Sequence, residues 1–197
     1  MSTLEIEGAE VGFPNGFRVG PVSFSANSGV VHLAGPNGSG KTTLLRAFCG
    51  EVRLAKGSVR VNGRDVHREL LARKDIALVP ARNELPEFLT VREAYEFTAS
   101  LRGAPDWSGA EFCRALNIDP DLRLGHASDG QRRKAELIAA LAGDPSILLM
   151  DETFASLDKD SAAQVAAWVA EWSAVRTVVL THHGDLPVAV DQVVSVG

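Results

Sequence analysis

Cys49 and Cys113 are the only cysteines in this chain of 197 residues. They lie far apart, in no C-x-x-C pair and beside no histidine cluster. Neither a zinc site nor a disulfide framework is expected, and a reducing compartment is. No apolar run approaches the roughly 20 residues that cross a bilayer. The opening stretch MSTLEIEGAE has no basic segment and no apolar one, so no secretory signal is expected. There is no basic excess either. The formal net charge is -5, a mild acidity that serves solubility, and nucleic acid is not expected as a partner. Repeats and low-complexity linkers are missing. So is N-K-x-D, the element that reads guanine, which argues against a GTPase. What remains is 45% hydrophobic and 23% charged, an ordinary globular balance. The length suits a single domain with its own core.

The first third reads as strands. LEIEGAEVGF and FRVGPVSFSA alternate apolar and polar residues, as half-exposed antiparallel strands do. GVVHLAG, residues 29–35, is a nearly continuous apolar run, which suits a strand buried on both faces. A helix over 40–49 follows and closes at Gly50. GSVRVNG and DIALVP predict two more strands, the second stopped by Pro80. The middle changes character: TVREAYEFTASLR, WSGAEFCRALNI and DGQRRKAELIAALAG predict helices. In the last, Ala135, Ile138, Ala139 and Ala142 share one face, and Gly143 ends the pattern. SILLMDE returns to buried strand. DKDSAAQVAAWVAEWSAV predicts a helix whose stripe of Val165, Trp168, Val169 and Trp172 serves core packing. RTVVLTHH and DQVVSV are final strands. Strands alternate with helices at both ends around a helical block, an α/β core with an insertion.

The chemistry concentrates at Gly35-Pro36-Asn37-Gly38-Ser39-Gly40-Lys41-Thr42, which fits G-x-x-x-x-G-K-[ST] without a mismatch. A buried strand precedes it and a helix follows, as the motif requires. Its glycines let backbone N–H groups close on phosphate oxygens, and the helix start adds unpaired donors and partial positive charge. Lys41 reaches for the β and γ phosphates, and the hydroxyl of Thr42, with Thr43 beside it, is placed for Mg²⁺. A nucleoside triphosphate site also needs a carboxylate for the metal. ILLMDE supplies Asp151 at a strand end for Mg²⁺, with Glu152 next to it as general base. The run Arg132-Arg133-Lys134 is read as the solvent face of its helix rather than as a nucleic-acid patch.

With these motifs in order, nearly the whole chain resembles an ATP-binding cassette (ABC) ATPase of the transporter type. ASDGQRRK resembles the family's L-S-G-G-Q signature at a helix start. ILLMDE resembles the Walker B strand with its catalytic glutamate, ASLD the D-loop, and LTHH places His182 at the switch histidine. The resemblance implies a P-loop NTPase core, a mixed sheet flanked by helices, with an N-terminal antiparallel β subdomain and a helical signature subdomain. The implied division is one ABC ATPase domain over 1–197, with 1–89 and 144–197 as the core and β subdomain and 90–143 as the helical insertion. It implies ATP and Mg²⁺ as ligands, and Phe13 stacked on adenine, with Phe17 the competing ring. It implies contacts from Ser128, Gly130 and Gln131 to the γ-phosphate held by another subunit. Dimerisation around ATP, as homodimer or heterodimer, would then drive separate transmembrane permease subunits from the cytoplasmic face of the membrane. LTVREAYEF slightly favours export. The chain stops at Gly197, after the last core strand, as the family's short single-cassette members do.

Four positions depart from the family pattern. Ala81 stands where its Q-loop glutamine is expected, Asp129 replaces the first signature glycine, Thr153 replaces the usual proline and His183 a frequent aspartate. Two other functions therefore stay open. One is an ABC-type ATPase acting on nucleic acid or the ribosome, although no long coiled coil or second cassette is present. The other is a degenerate, weakly hydrolysing partner in a heterodimer, which Ala81 and Asp129 favour and which Glu152 and His182 oppose.

Overall fold

A computed structural model describes residues 3–104 and 107–197. The first two residues of MSTLEIEGAE lie outside them. Two strands, β1 (Leu4–Gly12) and β2 (Arg18–Ala26), pair antiparallel, and β1 also pairs antiparallel with β4 (Lys56–Val61). β4 turns at Asn62-Gly63 into the two-residue β5 (Arg64–Asp65). Both turn residues have positive φ, 52° and 77°, the geometry of the tight hairpin that Asn-Gly prefers. β5 is missed by alternation because it is too short to alternate, although the Asn-Gly pair marks it.

The second sheet has the order β6-β7-β8-β3-β9, all parallel. Its members are β3 (Gly29–Ala34), β6 (Ile76–Val79), β7 (Ile147–Asp151), β8 (Thr177–Thr181) and β9 (Gln192–Ser195). β7 and β8 are buried at every position, which is why they read as unbroken apolar runs. α1 (Lys41–Phe48) follows β3 and packs between the two sheets with Leu44, Leu45 and Phe48.

Between β6 and β7 come α2 (Val91–Arg102), α3 (Ala110–Ala115) and α4 (Asp129–Leu141). α2 opens on a reciprocal cap: Thr90 accepts from Glu93 N, and the Glu93 side chain returns the bond. α3 is shorter than WSGAEFCRALNI predicts. Gly109 gives no side-chain cap at its start, and Asn117, at φ 49°, turns the chain away soon after its end. α4 also corrects two expectations. It ends at Leu141, one residue before Ala142, and it is buried on nearly every side from Ala135 onward, not on one stripe. It sits between α2 and the parallel sheet, so it has no broad solvent face.

α5 (Lys159–Trp172) buries Val165 and Val169 completely. Trp168 and Trp172 are only partly buried. They stack on each other at 5.6 Å, and Phe112 of α3 meets Trp168 edge-on at 5.3 Å, so they rim the core rather than fill it.

Candidate functional site

The loop between β3 and α1 must turn sharply, and two of its glycines have no substitute. Gly40 has φ 97°, and a Cβ there would lie 2.4 Å from the Val19 side chain. A Cβ on Gly35 would lie 2.3 Å from the Val196 carbonyl oxygen. The loop is thus pinched between β2 and the end of the chain beyond β9. Ser39 N donates to the Pro36 carbonyl at 3.2 Å and closes the turn. Lys41, 7% exposed, folds over it and donates from Nζ to the carbonyls of Gly35 at 2.8 Å and Pro36 at 3.1 Å.

The loop forms one wall of a cleft of about 380 Å³. Asn37, Gly38, Gly40, Lys41, Thr42 and Thr43 line it from the loop and α1, joined by Asp151, Glu152 and His183 and by Phe13, Phe17 and Val19. The two phenylalanines come from the β1–β2 loop, where Phe13 N donates to Phe17 O at 2.9 Å. Their rings lie 5.8 Å apart at 40°, both exposed enough to meet a flat ligand. The structure places both rings at the cleft and does not choose between them.

Asp151 is 2% exposed and accepts from Thr181 Oγ1 at 2.7 Å. The same hydroxyl oxygen accepts from Glu152 N at 3.0 Å. Thr181, on the neighbouring strand β8, therefore holds the Asp151 carboxylate and the Glu152 backbone at once. Thr181→Val keeps the shape and removes both bonds. Hydrogen bonds to charged groups contribute about 1.5–3 kcal/mol. The thermal midpoint should fall by several degrees on the usual scaling; a melting curve identical to the wild type would show that the hydroxyl carries no such role.

Glu152 adopts a left-handed backbone, φ 47° and ψ 32°. Its Oε1 is buried and has no hydrogen-bond partner among the described residues. His183 Nε2 lies 3.3 Å from it, close enough for an ionic contact but without hydrogen-bond alignment. His182 Nδ1 is 4.0 Å from Oε2, and its ring packs edge-on against Phe154. His183 lines the cleft, and His182, the expected switch histidine, is the more buried of the pair beside Glu152.

Thr42 and Asp151 offer a hydroxyl and a carboxylate to one cleft. A hard oxygen donor set completed by water and phosphate suits Mg²⁺.

Ser128, Gly130 and Gln131 are elsewhere. They form the start of α4, where Ser128 Oγ accepts from Gln131 N at 3.3 Å and Gln131 Oε1 accepts from Ser128 N at 2.9 Å. None of the three lines the cleft around Lys41. Asp129, beside them, borders a separate crevice of about 290 Å³ with Ala81, Arg82, Asn83, Arg133 and Ser156.

The basic run needs correction. Arg133 is not on a solvent face: it is 2% exposed and bonds to the carbonyls of Pro80 and Asp151 and to Thr153 Oγ1. Lys134 is largely covered too, with Nζ on Leu116 O at 2.9 Å and on Asp158 Oδ2 at 2.9 Å. That contact and the N-cap bonds to Ser161 hold the Asp158 carboxyl below the usual carboxylate range. Burial pushes the Cys49 thiol up to about 12, so it stays protonated and unreactive at neutral pH.

Comparison with known proteins gives the family of the chain. The family described as ABC transporter matches residues 19–155. The chain belongs to that family. It is 32% identical over 194 residues to the sulfate/thiosulfate import ATP-binding protein CysA of Nocardia farcinica (strain IFM 10152), covering 91% of this chain and 57% of the relative. To the Nod factor export ATP-binding protein I of Rhizobium sp. (strain N33) it is 33% identical over 196 residues, covering 91% and 62%. It therefore spans less than two thirds of the length of these relatives. Among solved structures, a putative ABC transporter ATP-binding protein from Pyrococcus furiosus superposes with a TM-score of 0.80 at 25% identity, covering 98% of this chain and 96% of the other. A dimeric ATP-binding cassette in a post-hydrolysis state with ADP and Pi gives 0.82 at 20% identity, covering 92% and 88%, a likeness of fold. The chain is an ABC-family domain with the P-loop NTPase fold.

Proposed function

We propose that this ABC domain binds ATP with Mg²⁺ and hydrolyses it only when a second ABC domain closes over the nucleotide. The observation that carries this reading is the divided site. Lys41, Thr42, Asp151 and Glu152 meet in one cleft, whereas Ser128 and Gly130 stand at a helix start outside it. A helix start favours anions through free N–H groups and the helix dipole. One chain cannot bring its own helix start to its own cleft without refolding, and two chains facing each other can.

Thr42 and Asp151 would hold Mg²⁺, which when bound neutralises charge developing on the phosphates. The loop N–H groups and Lys41 hold the triphosphate, and Phe13 or Phe17 covers the base. Glu152 takes a proton from the attacking water at its unpaired Oε1. His182 and His183 flank that carboxylate.

The dimer would drive separate transmembrane subunits from the cytoplasmic face. No helix among the described residues is long and apolar enough to cross a membrane. Leu70 and Leu101, 74% and 60% exposed, border one crevice of about 350 Å³, an apolar surface suited to a docking partner. Export is the direction that LTVREAYEF favours. Residues 90–143 would act as the signature subdomain.

ATPase rate per chain should climb with protein concentration and level off once dimers dominate. A rate per chain that is constant across a hundredfold dilution would overturn closure by a second copy.

A further inference from the structure

α4 carries Ser128 and Gly130 at its start, and a turn later it buries two charged side chains. Arg133 is 2% exposed and Glu136 6%. Burial pulls the Arg133 guanidinium below its ordinary pKa and pushes the Glu136 carboxyl above its own. Groups in such places persist only when their bonds are made. Glu136 Oε1 accepts from Glu84 N and from Leu85 N at 2.8 Å, and so holds the segment after β6. Arg133 spreads its two terminal nitrogens over two strands. One donates to the Pro80 carbonyl at the end of β6. The other donates to the Asp151 carbonyl at 2.6 Å and to Thr153 Oγ1 at 3.2 Å.

Those acceptors bracket the reacting groups. Pro80 immediately precedes Ala81, and Asp151 and Thr153 stand on either side of Glu152. Glu152 itself holds φ 47°, a conformation that a residue with a Cβ keeps only where its surroundings impose it. Thr153 matters here because a proline at that position would offer no side-chain acceptor.

We propose that Arg133 is the positioning residue of the hydrolytic centre, holding Asp151 and Thr153 so that the turn between them aims Glu152 into the cleft. It does this from the helix whose start faces the second copy, so closure at Ser128 and Gly130 bears on Glu152 through one rigid element. The inference rests on the hydrolytic reading above. Glu152 sits in a turn fixed from both sides, and loosening that turn costs turnover rather than binding.

The test compares Thr153→Val, Thr153→Ser and Arg133→Lys with the wild type. Each is followed by kcat, KM for Mg-ATP, affinity for a fluorescent ATP analogue and thermal midpoint. Arg133→Lys keeps a charge but cannot fork across two strands. Misplacement of a reacting group by 1 Å can cost about 10²-fold. kcat should fall by about tenfold or more in Arg133→Lys, and severalfold in Thr153→Val, with KM and analogue affinity within about twofold. Thr153→Ser restores the acceptor and should restore most of the rate. Should Arg133→Lys fail to fold, the contrast between valine and serine at 153 decides alone. Wild-type kcat in a folded Thr153→Val overturns the positioning role and leaves the hydrolytic reading standing. A wild-type chain that binds the analogue yet never hydrolyses ATP overturns both.

Discussion

Glu152→Gln slows ATP hydrolysis by about 10²-fold or more while ATP binding persists. The water oxygen attacks the γ-phosphorus, the bond to the departing ADP oxygen breaks, and a proton must leave the water. Glu152 lines the cleft, and its Oε1 has no hydrogen-bond partner among the described residues, so a lone pair is free to take it. Glutamine has the same shape and keeps the backbone bond to Thr181, but its amide cannot accept that proton. The other holders of the triphosphate, from Lys41 to Asp151, are untouched. Phosphate release measured beside analogue affinity separates the two quantities. Hydrolysis at the wild-type rate would remove Glu152 as the base.

Lys41→Ala lowers affinity for ATP by at least about tenfold. Lys41 is the one lysine or arginine among the described residues lining the cleft. Charge-assisted hydrogen bonds contribute about 1.5–3 kcal/mol each, and about 1.4 kcal/mol is a tenfold change. A second effect acts in the same direction. The ammonium now bonds the carbonyls of Gly35 and Pro36. Without it the Gly35 oxygen loses this partner beside a polyanion, while Pro36 keeps its bond from Ser39 N. Titration with a fluorescent ATP analogue reads the loss directly; unchanged affinity would mean that the loop does not hold the triphosphate.

What the sequence makes legible follows from how locally each feature is encoded. Gly35 to Thr43 and Ile147 to Glu152 are contiguous, and their strand–loop or strand–turn context is written beside them. The inner parallel strands β7 and β8 were legible too, since burial on both faces leaves apolar runs. Arg133 was not. A basic run on a helix reads as solvent-facing when one face is assumed free, and α4 has no such face. Its partners, Pro80, Asp151 and Thr153, come from distant parts of the chain. The tryptophans of α5 share the stripe of Val165 and Val169, but their size carries them to its rim, where Phe112 meets them.

The central claim is that a second ABC domain completes the site. Analytical ultracentrifugation of the Glu152→Gln chain, with and without Mg-ATP, tests it most directly, because the nucleotide survives long enough to hold the closed state. The account predicts a monomer without nucleotide and a dimer with it. A chain that binds ATP and still sediments as a monomer, at concentrations where the wild type hydrolyses ATP, would contradict it.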